Sequence, residues 1–107
     1  MTLRYRYHPE ARRELDEAID WYEQAAPGLG TDFFDEVEVA VREACEHPTR
    51  WPLFPTVDSA LEVHRRSLRR FPYSLAWLIE PDQVVVLAVA HARRRPGYWV
   101  DRLTHDP

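Results

Sequence analysis

Apolar and polar residues change period along the chain, and each change marks an element. In Leu3–Tyr7 (LRYRY) apolar and basic side chains alternate, the period-2 mark of a strand with one face on a core. From His8 the period lengthens. Ala11, Leu15, Ala18, Ile19, Tyr22 and Ala25 recur at helical spacing, opposite a polar face of Arg12, Arg13, Asp16, Glu17, Asp20 and Glu23. Pro9 suits the first helical position, where its missing N–H has no intrahelical partner, and Glu10 complements the positive end of the helix dipole. The pattern predicts an amphipathic helix to about Ala26, with Trp21 near the border of the stripe, where it covers the sheet or a partner, core packing being the commoner role of such a residue. Pro27-Gly28-Leu29-Gly30 ends it, glycine being able to take the left-handed conformation that follows a helix. Thr31 is the expected N-cap of a second helix over Asp32–Glu46, with Phe33, Val37, Ala40, Val41, Ala44 and Cys45 as its stripe and Asp32, Asp35 and Glu36 at its start. So short a linker predicts an antiparallel αα-hairpin, its many carboxylates forming solvated faces.

His47-Pro48 stops the second helix, and PTRWPLFP (48–55) reads as an extended loop whose Trp51, Leu53 and Phe54 cover the sheet's edge or a helix end. Val57–Ala60 leads through Leu61 and Val63 into a second strand, which Phe71-Pro72 breaks. Tyr73–Glu80 and Val84–His91 are the third and fourth strands, joined by a Glu80-Pro81-Asp82-Gln83 turn. The fourth is apolar on both faces, which places it centrally. After Pro96-Gly97, the residues Tyr98, Trp99, Val100 and Leu103 predict a short closing helix or turn. The assembled order is β-α-α-β-β-β: an N-terminal strand, an αα-hairpin and an antiparallel three-stranded meander, an α+β fold.

At 107 residues the expectation is a single domain, 1–107, burying roughly 65% of its unfolded surface without staples. The lone Cys45 reads as a buried thiol in a reducing compartment. The N-terminus has no apolar signal core and no apolar run approaches the ~20 residues of a membrane span, so a soluble cytoplasmic protein with no membrane partner is expected. His8, His47, His64, His91 and His105 show no converging spacing, so neither a metal nor another cofactor is expected.

Charge adds more than its net value of -4. Residues 1–50 carry 12 Asp/Glu against 6 Arg, whereas residues 51–107 carry 6 against 8, so the chain is electrically two-sided. Lysine is absent, so every side-chain cation other than a protonated histidine is a guanidinium built for bidentate phosphate or carboxylate contacts. Arg65, Arg66, Arg69 and Arg70 precede the third strand and Arg93, Arg94 and Arg95 follow the fourth, an arrangement that brings both groups to one edge of the sheet. Such a rim suits a docking surface for an acidic protein segment or a nucleic-acid backbone, with Phe71, Tyr73, Trp77, Tyr98 and Trp99 as aromatic anchors. It also suits acid/base cleavage of RNA, with His64 and His91 on strands, Arg66, Arg70, Arg93 and Arg94 near the phosphate and Tyr98 as a proton donor. A domain with a merely solvated basic edge is the remaining reading.

The stretch RRFPYSLAWLIEPDQVVVLAVAHARRRPGYW resembles the C-terminal signature of the RelE/ParE superfamily of bacterial type II toxins. HPEARRELDEAIDWYE, FFDEVEVAV and HPTRWPLFP are similar to that family's N-terminal half. The resemblance implies a small α+β toxin wrapped by a helix and an extended segment of a cognate antitoxin, with operator DNA reached only through that antitoxin. It also implies one of two targets. RelE-like members cleave mRNA on the ribosome; ParE-like members poison DNA gyrase and have lost the nuclease residues. In the nuclease pattern Arg93 matches the arginine after the last strand, Tyr98 or Trp99 falls near the C-terminal tyrosine, and Arg65 or Arg66 stands where lysines are expected. Ser74 occupies the place of the strand arginine. The departures favour the gyrase-directed branch. Arg65, Arg66, Arg69, Arg70, Arg93, Arg94 and Trp99 are then the expected contacts to antitoxin or target, and Arg93, Tyr98 and His91 the catalytic set only for a nuclease.

Overall fold

The structure, a computed structural model, describes residues 2–55 and 61–103. Strand β1 (Arg4–Tyr7) leads into helix α1 (Pro9–Ala25) and helix α2 (Leu29–Glu46). Strands β2 (Val63–Ser67), β3 (Tyr73–Ile79) and β4 (Gln83–His91) follow, and a 3-10 turn spans Val100–Leu103. The sheet order is β1-β4-β3-β2. The meander is antiparallel and β4 is central, as its two apolar faces imply, while β1 joins the far side of β4 in parallel. The fold is thus α+β with a mixed sheet. The expected lead-in at Val57–Ala60, and His105, lie outside the described residues.

Two apolar clusters flank the sheet. On one face α1 and α2 deliver Leu15, Phe33, Val37, Val41 and Cys45 onto Leu75, Trp77, Val84, Val86 and Val89. Tyr22, Phe33, Phe71 and Tyr73 meet there largely edge to face, with ring centroids 4.8–6.1 Å apart, the geometry aromatic quadrupoles favour. Burial pushes the Cys45 thiol pKa up, as expected of a core thiol. The opposite face is covered more thinly, by Phe54, Trp99, Val100 and Leu103 over Val63, Ala76, Val85, Leu87 and Ala88. Leu87 and Ala88 both lie in this second cluster because β4 carries an extra residue. Ala76 pairs with Ala88 and Trp77 with Val86, leaving Leu87 as a β-bulge.

Several local expectations change. The second helix begins at Leu29, not after a Thr31 cap; Gly28, with φ 86°, is its cap residue. The N–H groups of Gly28 and Gly30 donate to the two carboxylate oxygens of Glu23, each at 3.0 Å, so a side chain of the preceding helix does the capping. Gly30 lies against α1, where a Cβ would sit 2.6 Å from the Ile19 carbonyl oxygen and 2.9 Å from Glu23 Cβ. At the start of α1 the His8 ring fills the same office, its Nδ1 accepting the Glu10 N–H at 3.1 Å. Trp21 is 69% exposed instead of core-packed, and Leu53, which bridges to His64 beyond the edge of β2, also faces solvent. Trp51 and Trp77 behave as the pattern predicts, meeting edge to face at 5.7 Å under the loop. No described helix is long and apolar enough to cross a membrane.

Close α1–α2 packing gives a direct check. Gly30→Ala forces a methyl group into backbone and into the capping glutamate, and that crowding outweighs the better helix propensity of alanine. We expect a loss of about 1–3 kcal/mol in urea unfolding, with the slope of the transition unchanged.

Candidate binding cleft

Strand alternation divides the arginines. Arg65 and Arg66 are neighbours on β2, so they project from opposite faces of the sheet. Arg66 turns to the helices, where its guanidinium lies 2.6 Å from Glu43 and 4.6 Å from the Trp51 ring centre and its side chain is only 17% exposed. Arg69 and Arg70, in the β2–β3 turn, also stay on the α2 side. Their backbone N–H groups donate to Glu36, and the Arg70 guanidinium reaches Asp32 at 3.6 Å. Arg65 projects from the other face, its guanidinium 5.7 Å from the Phe54 ring centre. The single rim expected from the sequence therefore splits: Arg66 and Arg70 serve as ties between sheet and hairpin.

A cleft of about 140 Å³ opens on the face away from the helices. Small side chains make it. Where the pattern of β3 and β4 elsewhere carries branched residues, this end of the sheet carries Ser74, Ala76 and Ala90, followed by Ala92, and the surface drops. Phe54, Tyr98 and Trp99 wall the hollow, and Arg65, Arg94 and Arg95 border it. No Asp or Glu among the described residues lines it. Among the described residues no carboxylate is ion-paired with Arg65, Arg93, Arg94 or Arg95, whereas Arg4, Arg12, Arg13, Arg66, Arg70 and Arg102 each have one. The cleft is thus an apolar floor under uncompensated guanidinium groups, suited to an anionic partner with an apolar part.

The expected site residues fall unevenly around it. Arg65 and Arg94 are exposed at its border, and Trp99 is buried in its wall against Phe54, with ring centres 4.8 Å apart. Arg93 is exposed in the turn after β4, its N–H donating to His91 Nδ1 at 3.0 Å. His91 packs edge to face on Tyr73, with ring centres 5.0 Å apart. His64, the other histidine considered for proton transfer, is almost fully buried. Its Nδ1 is 2.6 Å from the Trp51 carbonyl oxygen, its Nε2 is 2.9 Å from Glu62, and its ring stacks on Trp77. His64 pairs with Trp77 and His91 with Tyr73, four residues apart along β3, a separation of roughly 13 Å along the strand alone. The two rings do not converge. Among the described residues no group of three or more His, Cys, Asp or Glu is placed to hold a metal.

Tyr98 is held from behind by a group that sequence reading did not single out. Glu14 of α1 accepts the Tyr98 O–H, the Val89 backbone N–H at 3.0 Å, and both arms of Arg102 at 2.9–3.0 Å. Arg102 also donates to the carbonyl of the bulge residue Leu87 at 2.8 Å. Glu14 and Arg102 are 15% and 13% exposed, so this helix carboxylate is an exception to the expected solvated face. Burial, reinforced by the hydrogen bond to Glu14, pushes the Tyr98 phenol well above its ordinary pKa. The front of the Tyr98 ring carries Arg94, whose guanidinium carbon is 3.8 Å from the ring centre.

Fold and cleft together define a class: a small α+β domain that presents a cationic hollow on the open face of its sheet while a helical hairpin covers the other. The architecture is similar to that of a solved chain described as "Chromosomal ParDE TA system from P. aeruginosa". The TM-score is 0.69 at 14% identity, covering 86% of this chain and 98% of that one. The family profile described as the ParE toxin of the type II toxin-antitoxin system parDE matches residues 5–96. The chain belongs to the ParE toxin family. No curated protein matches it by sequence.

Two measurements probe the Glu14 network. Arg102→Ala leaves a poorly solvated carboxylate without its cation, and we expect it to cost about 2–4 kcal/mol by chemical denaturation. The folded-state pKa of Tyr98 lies above its unfolded value, so its contribution to stability is complete below about pH 10 and is lost as the pH rises beyond it. Tyr98→Phe should therefore make the fall in stability between about pH 9 and 11 shallower, though not flat, since burial raises Tyr7 and Tyr73 as well.

Proposed function

We propose that this ParE-family chain is a growth-inhibiting toxin that acts in the cytoplasm on DNA gyrase and is neutralised by a cognate antitoxin, both engaging the cationic cleft. Arg65, Arg93 and Arg94 contact the partner there, and Trp99 supports the wall. One observation carries the choice of a binding role over nuclease chemistry. The groups that could move protons near the arginines do not form an acid and base pair: Tyr98 gives its hydroxyl to Glu14, His64 is enclosed between Glu62 and Trp51, and His91, which lines the cleft and accepts the Arg93 N–H at Nδ1, stands there without a second proton-transfer group. Ser74, at the floor, stands in the place of the strand arginine and carries no charge. What remains on the open face is an anion-attracting surface without a free acid and base in mutual reach. An antitoxin of complementary charge would also mask the side of the molecule that departs most from its net acidity. Regulation of the operon then follows through the antitoxin, which would carry the DNA contact.

The test compares two purified systems. The chain should inhibit supercoiling by gyrase and leave ribosome-bound mRNA intact. Cleavage of mRNA in the ribosomal A site that disappears in Arg93→Ala would reverse the assignment, and absence of gyrase inhibition at excess protein would remove it. Arg65→Glu and Arg94→Glu should each weaken antitoxin capture and growth arrest at least tenfold, since each replaces an attractive guanidinium by a like charge toward an anionic partner. Unchanged behaviour in both assays would exclude the cleft as the contact surface.

A further inference from the structure

We propose that Glu14 is a positioning residue of the cleft, acting on Arg94 through the ring of Tyr98; the proposal rests on reading the cleft as the docking surface. Glu14 lies on α1 and does not line the cleft. Its carboxylate nevertheless reaches the cleft wall, because it takes the Tyr98 hydroxyl while both arms of Arg102 and the Val89 N–H fix the carboxylate itself. A phenol anchored at its oxygen is held at χ1, and because the O–H bond prefers the plane of the ring, a donor aimed at the fixed Glu14 carboxylate also biases χ2 and with it the direction of the ring's face. Arg94 lies on that face at 3.8 Å, and it borders both the cleft and the hollow between α1 and β4 that holds Glu14 and Glu17. Without the anchored ring an exposed arginine beside those carboxylates has no reason to stay at the cleft side, and the Coulomb attraction draws it toward them. The ring therefore decides which side of the segment the cation serves. An arginine already ordered on an aromatic face also loses less freedom when it forms its bidentate contact.

Two substitutions separate positioning from simple support. Glu14→Ala removes the anchor but strips Arg102 of its partner, so it is paired with Tyr98→Phe, which deletes one hydroxyl and leaves the Glu14–Arg102 ion pair intact. In the folded wild-type chain the Arg94 Nε–H proton should show a ring-current displacement in its nitrogen-proton NMR spectrum, and Tyr98→Phe, which keeps the ring but frees it from its anchor, should reduce it. The toxin level that halves growth on induced expression should rise about two- to fivefold in Tyr98→Phe, the scale of one cation–π contact. In an Arg94→Ala background the same substitution should have no further effect, which a purely structural role of Tyr98 would not produce. An Arg94 signal displaced as far in Tyr98→Phe as in the wild type overturns the proposal. So does a growth effect of equal size with and without Arg94, and so does a folded Glu14→Ala chain that keeps the displacement in full. The NMR arm needs no partner: failure of the gyrase reading appears as a blank supercoiling assay with the Arg94 signal behaving as expected.

Discussion

The carboxylate of Glu14 is the point on which this structure turns. Strand β1 is four residues long and pairs only as far as Val86, with the His8 N–H adding one more bond to the Val86 carbonyl. Beyond that point the central strand has no neighbour on this side. A buried strand edge with unmet donors and acceptors is costly, and the chain answers with side chains: Glu14 takes the Val89 N–H and Arg102 donates to the Leu87 carbonyl. Ion pairing and hydrogen bonding meet in the same groups, so each partly desolvated charge finds its partners, which is the condition under which such a pair is tolerated. The bulge at Leu87 belongs to the same solution, since it lies where one kind of edge partner gives way to the other.

The two faces of the sheet solve different problems with the same residue type. Arginines that point toward α2 find carboxylates and aromatic rings and become part of the packing, Arg66 most completely. Arginines that point away meet rings, Phe54 for Arg65 and Tyr98 for Arg94, and among the described residues no carboxylate pairs with them. An acidic chain thereby presents a locally basic hollow. The acidic helices complement the inner arginines, and the alanines on the outer face leave room for a visitor.

Much of this was readable in the sequence. Alternation located β1, helical spacing both helices, and short apolar runs with their breakers the three later strands, and the doubly apolar run Val84–His91 correctly became the central strand. Turn and cap chemistry was less legible where it depended on tertiary contact. Thr31 looked like a cap because the capping oxygen came from Glu23, a residue on another helix that no local rule points to. Trp21 looked like core because hydrophobic residues usually are; it stands at the border of the apolar stripe, and its side chain lies outside the packed face of α1. The arginine clusters were visible, but their division was not drawn: alternation on β2 was enough to separate Arg65 from Arg66, whereas the ties of Arg70 and Arg66 to α2 required the packed hairpin. Glu14 and Arg102 were hidden most deeply. A single glutamate among many on a helix, and an arginine 88 positions later, carry no shared pattern until the chain folds.

That sequence separation has an energetic meaning. The hydrogen bonds of Glu14 join it to positions 75, 84 and 88 residues away, among the longest loops the chain closes. Closing loops of such range costs chain entropy that local hairpins do not pay. The floor of the hollow lies on the β3–β4 hairpin, a local structure, whereas the brace behind its Tyr98 wall exists only where α1 has docked on β4, so the wall is tied to the integrity of the whole domain.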